Sequence, residues 1–199
     1  MILHDIIKRN ITELSNSKIT EIGAYAFAYC SNLTSINLPA VTSIHSTAFY
    51  SCSNLTTVNI SSILSVQNNT FSMLSKLTSI NLPNVSYIGV WAFMNCYSLT
   101  SVNLPTVLEI NNAAFYGCSN LISINCPMVI NLNAQVFYRC SSLTSINLPA
   151  VTSIGNNAFS QCSALTAIHF GSANKATIEA NSYYSTKWGA TNATIYFDL

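Results

Sequence analysis

The stretch LTSINLPAVTSI occupies residues 33–44 and recurs letter for letter at 143–154, an offset of 110 residues. That offset is five periods of 22, and the same grid runs through most of the chain. Phe27, Phe49, Phe71, Phe93, Phe115, Phe137 and Phe159 keep it, as do Leu33, Leu55, Leu77, Leu99, Leu121, Leu143 and Leu165. Cys30, Cys52, Cys96, Cys118, Cys140 and Cys162 keep it too, with Leu74 in the slot that cysteine leaves empty. A fixed period of roughly 20–29 residues with spaced leucines leaves one class of fold, a solenoid whose coils bury their apolar faces against their neighbours.

Within a coil the pattern is L-x-x-I-x-L-P-x-V-x-x-I-x-x-x-A-F-x-x-C-x-x. In residues 33–54, Ile36 and Leu38 alternate around Asn37, the period of a strand with one buried face. Pro39 ends that strand, because proline has no N–H to give a ladder. Val41 and Ile44 turn a second extended segment inward. Ala48, Phe49 and Cys52 are spaced i, i+1, i+4, which predicts about one helical turn pressed on the core. The chain therefore reads as a right-handed leucine-rich repeat solenoid with short parallel strands, capped at both ends. Residues 1–10 form the expected N-terminal cap, 11–170 the array and 171–199 the C-terminal cap, in which Ile195 and Phe197 offer a last strand. The array has a degenerate first coil at 11–32 and six full coils over 33–164. Coil 55–76 departs from the pattern, with Ser61 in the proline slot and Leu74 in the cysteine slot, and predicts a local change of curvature.

Half of the 199 residues are hydrophobic, and only seven basic and six acidic residues balance them. No basic stripe exists to neutralise phosphates, so nucleic acid is not an expected partner. No apolar run approaches the roughly 18 residues that cross a bilayer, so membrane insertion is not expected either. The opening MILHDIIKRN lacks the charged-then-apolar order of a signal peptide.

Catalysis has little to build on. His45 and His169 stand nearly six coils apart, about 27 Å at the spacing of stacked strands, and Glu109 is the only acid between Glu21 and Glu179. No Gly-rich phosphate loop is present, no cofactor is implied, and the chain is expected not to be an enzyme. Stacked cysteines lie within reach of disulfide formation, yet a slot that Leu74 also fills is that of a small buried apolar residue. Cys126, in the slot of Leu38, is expected in the core as well. A linear column cannot offer tetrahedral sulfur ligation, so no metal site is expected.

Two surfaces remain as candidate binding sites. Asn37, Asn59, Asn81, Asn103, Asn125 and Asn147 form one outward column on the concave strand face, flanked by serine or threonine. Stacked amides can bond from coil to coil and hold register; an uncharged face that suits sugar or peptide backbone is the other reading. The second surface surrounds A-F-x-x-C, where core packing does not dictate the residue and each coil chooses differently. Tyr50, Trp91, Met94, Tyr116, Tyr138 and Arg139 fall there, and Tyr, Trp, Met and Arg are the types enriched at interface centres. They are the candidate ligand-binding residues, with packing over the neighbouring coil as the alternative.

LTSINLPAVTSIGNNAFSQCSAL (143–165) and its copies, over about residues 11–170, resemble the BspA-like leucine-rich repeat family of bacterial and protozoan surface proteins. The resemblance implies a cell-surface or secreted, extracellular protein of a host-associated microbe. It implies partners among host extracellular matrix or surface proteins, or glycans, and a role in adhesion. The family offers no residue-level binding motif to carry over. A structural spacer, or a part of a phage tail or cell-surface scaffold, is the alternative function.

Overall fold

The computed structural model describes residues 10–199, so the N-terminal cap expected at 1–10 lies almost wholly outside the described residues. From Ile11 onward the chain winds into stacked coils, each contributing two short strands and a run of turns. The longer strand recurs at Glu13–Ser15, Ser35–Asn37, Thr57–Asn59, Ser79–Asn81, Ser101–Asn103, Ser123–Asn125, Ser145–Leu148 and Ala167–Phe170. The shorter recurs from Glu21–Ile22 to Ser153–Ile154. All pairings are parallel, and within the array each residue faces the one 22 positions on, as Ile36 faces Val58 and Ile80 faces Val102.

Alternation sorts each longer strand. In Ser79–Asn81 the central Ile80 is buried while Ser79 and Asn81 face outward. Leu82, Val85 and Ile88 then turn inward, followed by Ala92, Phe93 and Cys96. The phenylalanines form one continuous column from Phe27 to Phe159, with successive ring centres 5.2 to 5.9 Å apart. Stacking coils thus buries about one large aromatic per turn of chain, the dominant apolar contribution at each junction.

The expected helical turn is absent. Residues 45–52 form a succession of turns whose N–H groups alternate in direction. Those of Thr47, Phe49 and Ser51 donate onward to Asn68, Thr70 and Ser72 at 2.9, 3.1 and 2.9 Å. Those of Ala48, Tyr50 and Cys52 donate back three residues, at 3.2 to 3.3 Å. A helix would spend every N–H inside its own coil and leave the neighbour's carbonyls unbonded; the alternation satisfies both. Its cost is conformational. Two positions per coil are left-handed, at Tyr25 and Tyr29, Thr47 and Ser51, Asn69 and Met73, and so on to Asn157 and Gln161. Only Gly117 among them is a glycine; Asn69, Asn95 and Asn157 tolerate this conformation, and each of the remaining residues opposes folding by roughly 1–2 kcal/mol.

The longer-strand column is interrupted twice, after Thr57–Asn59 and after Ser123–Asn125, and the central Val58 and Ile124 are half-buried there. Both interruptions follow coils that depart from the repeat. Coil 55–76 has Ser61 and Leu74 out of pattern; coil 121–142 has Ile122 in the threonine slot and Cys126 in the leucine slot. The turn column runs through both junctions unbroken, with Phe71 N–H bonded to Ala92 and Phe137 N–H to Ala158.

Residues 171–199 lie over the last coil. A short α-helix, Lys175–Glu179, follows one 3-10 turn, and Thr194–Phe197 adds a parallel strand against Ala167–Phe170, as Ile195 and Phe197 predict. Phe159 N–H donates to the carbonyl of buried Trp188, which takes the place of a next coil. Asn181 holds it there, donating to Ile154 O at 3.0 Å and accepting from Trp188 Nε1 at 2.9 Å.

Candidate functional site

On the strand face the asparagine column is a hydrogen-bonded ladder. Asn59 donates to Asn37 at 2.6 Å, Asn103 to Asn81 at 2.8 Å and Asn125 to Asn103 at 2.8 Å. No such bond joins Asn81 to Asn59 or Asn147 to Asn125, the two junctions where the strands also part. Threonine hydroxyls run a parallel ladder, Thr34, Thr56, Thr100 and Thr166 each donating to the threonine carbonyl 22 residues before. A groove of about 850 Å³ runs over this face between Ser79 and Pro149, with Leu199 at one edge and no charged side chain in its lining.

The turn edge is organised differently. Its backbone repeats while its side chains do not. Six of the left-handed positions are exposed, Gln135, Arg139 and Gln161 together with Tyr25 at 65%, Tyr29 at 62% and Trp91 at 47%; the others are half-buried, apart from the buried Ala113 and Gly117. Tyr50, Met94, Tyr116 and Tyr138 occupy one intervening column and are half-buried. Tyr116 and Tyr138 stack at 4.9 Å with ring planes 9° apart. Arg139 lies over the Tyr138 ring at 5.6 Å, its Nε donates to Gln161 Oε1 at 2.9 Å, and Gln161 Nε2 donates to Tyr138 Oη at 2.8 Å. Of the six residues the sequence singles out here, Tyr116, Tyr138 and Arg139 therefore form one cluster, with Met94 next in their column. Tyr50 stands two coils before Met94, edge-on to Tyr29 at 5.4 Å. Trp91 stands outside both groups. Gln161 completes the cluster and is not among the residues singled out, although its offset of 22 from Arg139 marks it.

The cysteines are buried and none forms a disulfide, and their slot is more than apolar. Cys52, Cys96, Cys118, Cys140 and Cys162 each donate the thiol proton to the phenylalanine carbonyl 25 residues earlier, at 2.9 to 3.2 Å. Burial pushes the Cys52, Cys126 and Cys162 thiols up to about 12, and those of Cys118 and Cys140 well above their ordinary value. Thiolate chemistry is thereby suppressed.

Two histidine–acid pairs lie outside the sequence reading. His45 Nε2 meets Glu21 at 2.6 Å, and His169 Nδ1 meets both Asp198 oxygens at 2.9 and 3.1 Å while stacking on Tyr196 at 4.7 Å. They stand near opposite ends of the array. Among the described residues no group of three or more His, Cys, Asp or Glu is placed to hold a metal ion. None of their helices is long and apolar enough to cross a membrane.

A family described as a BspA type leucine rich repeat region matches in six copies, over residues 8–122 and 86–195. No curated protein matches the sequence significantly. Among solved structures, a leucine rich repeat protein of T. pallidum aligns with a TM-score of 0.72 at 23% identity, over 94% of this chain and 86% of its own. A leucine-rich repeat protein of Eubacterium ventriosum aligns with a TM-score of 0.63 at 23% identity, over 76% of this chain. The alignment spans only 43% of that second protein. At these identities the likeness is one of fold.

Proposed function

The chain belongs to the BspA-type leucine-rich repeat family, and on that premise we propose that it is a non-enzymatic binding module of a microbial surface or secreted protein, recognising a host or cell-surface protein or glycan. The observation that carries this reading is the turn edge. Its backbone is fixed by coil-to-coil bonds, yet successive coils place Tyr25, Thr47, Asn69, Trp91, Ala113, Gln135 and Asn157 at one and the same left-handed position. All but the buried Ala113 are half-buried or exposed, and two of them, Tyr25 and Trp91, are aromatic types that dominate interface centres. A contact surface whose members change while the scaffold stays constant is what recognition requires. With so few charges available, binding here has a shallow salt dependence.

The test is a binding screen of the purified chain against immobilised matrix proteins and a glycan array, beside a variant with Tyr50, Trp91 and Tyr116 changed to Ser. A ligand retained by the native chain and lost by the folded variant supports recognition through this edge. A blank from a chain shown to be folded favours the spacer reading, which the continuity of the turn column supports.

A further inference from the structure

We infer that Arg139 is a preset anchor for a single side-chain carboxylate of a protein partner, received end-on by the outer fork of its guanidinium. The inference rests on the recognition reading above and gives that edge its chemistry. Arg139 and Gln161 hold equivalent left-handed positions in successive coils, with φ of 63° and 61°. Tyr116 covers one face of the Tyr138 ring at 4.9 Å, so the guanidinium, 5.6 Å from the ring centre, takes the other. The next residue of that column is the small Ser160, which leaves it room.

Three contacts close a triangle. Tyr138 supports the guanidinium by its face, Gln161 Oε1 accepts from Nε at 2.9 Å, and Tyr138 Oη accepts from Gln161 Nε2 at 2.8 Å. A guanidinium carries five N–H donors, four of them on the two Nη atoms. Those four make no hydrogen bond, and no carboxylate pairs with Arg139 among the described residues. Carboxylates meet arginine in a two-bonded fork. The edge formed by Nε and one Nη is closed by Gln161, which leaves the edge formed by both Nη atoms. The side-chain freedom that an arginine ordinarily loses on binding has been lost on folding instead.

Charge and shape point to the partner. Between Lys76 and Lys175 the chain holds only Glu109 and Arg139 as charged residues. One cation in a neutral field fits one carboxylate, whereas polyphosphates call for a run of cations. The cluster stands on the turn edge, while the groove lined by Asn103 and Asn125 and a smaller hollow lined by Ser15 and Lys18 lie on the strand side. Small-ligand sites are concave. An exposed Arg backed by a half-buried Tyr suits an Asp or Glu on a partner's surface, since Tyr and Arg are the types enriched at interface hot spots.

The experiment follows the Arg139 Nε and Nη signals by NMR in the intact labelled chain, together with the Gln161 side-chain amide, which remains as the reporter in Arg139→Lys. The probe is glutamate blocked at both its α-amine and α-carboxyl, with blocked glutamine as the neutral control and methyl glucuronide as the sugar-acid arm. A saturable shift is expected with glutamate, about threefold tighter than with a blocked free arginine, none with glutamine and a weaker response to glucuronide. Arg139→Lys keeps the charge without the fork, and Gln161→Ala releases Nε; each should weaken glutamate binding by about threefold. Equal shifts from glutamine, or unchanged affinity in both variants, overturn the anchor. Tighter binding of glucuronide overturns the choice of a protein carboxylate. A partner captured in the screen whose binding survives Arg139→Lys retires the anchor and leaves the recognition reading standing.

Discussion

The strand face and the turn edge both join coils through the main chain, and they differ in what the outward side chains add. On the strand face Asn-to-Asn and Thr-to-carbonyl bonds reinforce the parallel backbone pairing, so the same outward residues recur. On the turn edge alternating N–H groups join the coils while the outward side chains at the left-handed positions take little part, and only the inward Phe and Cys repeat. Among outward-facing residues, repetition therefore marks where side chains add to register, and variation marks where the backbone suffices.

The largest effect that would break this contrast concerns the core beneath the turns. Phe93→Ala should cost about 3–5 kcal/mol as a large cavity mutation, whereas Trp91→Ala, two residues away on the free surface, should stay within about 0.5 kcal/mol. Equal losses on urea denaturation would mean that the turn edge is packed and not displayed. Tyr116 makes a poorer surface control than Trp91, because its ring is stacked on Tyr138.

Alkali should act next, at the thiols beneath the turns and at Cys126 behind the strand face. The thiols of Cys52, Cys126 and Cys162 titrate near 12 when folded against 9.0 as the ordinary value. The unfolded chain loses these protons first, so stability is whole below pH 9 and falls as pH rises from about 9 toward about 12. Each thiol contributes up to roughly 1.4 kcal/mol per pH unit in that window. Urea midpoints measured at pH 8, 9, 10 and 11 should drop progressively, and Cys52→Ala should make the decline shallower.

Smaller effects sharpen the contrast. Asn103 both donates and accepts in the ladder, so Asn103→Ala should cost about 1 kcal/mol. Asn147→Ala, at a junction where no ladder bond forms, should cost close to nothing; a matched loss would assign the column another role. Smallest is Trp91→Gly. Glycine relieves the left-handed strain of roughly 1–2 kcal/mol and gives back about half of it in entropy, so the melting temperature should hold or rise slightly.

Much of this was legible in the sequence because a strict period converts one coil into all of them. Phe93, Leu99 and Val107 are core because their equivalents in every coil are apolar, and the strand pairs follow from an offset of 22 residues. The turns were not legible, since i, i+1, i+4 spacing of Ala, Phe and Cys is produced alike by a helix and by turns whose N–H groups alternate. Nor does the letter C disclose that the thiol donates to a carbonyl 25 residues back; the periodic slot filled once by Leu74 points to burial alone. The pairs Tyr116 with Tyr138 and Arg139 with Gln161 lie on the grid and were within reach of it. His169 with Asp198 was not, because the C-terminal segment follows no period and its contacts are set by tertiary packing.

The interruptions after Thr57–Asn59 and Ser123–Asn125 have a mechanical consequence. In this molecule the interstrand bonds run along the long axis, so a pull on the two ends loads every junction in series. Such a rod yields at its weakest link, and these two junctions face tension with the turn column and the two-residue shorter strands, Ser65–Val66 on Tyr87–Ile88 and Asn131–Leu132 on Ser153–Ile154, but without the longer-strand pairing. A chain stretched between two anchors would part into three sections there before any section unwound. The irregular coils are thus the places where the length of the rod is free to change under load.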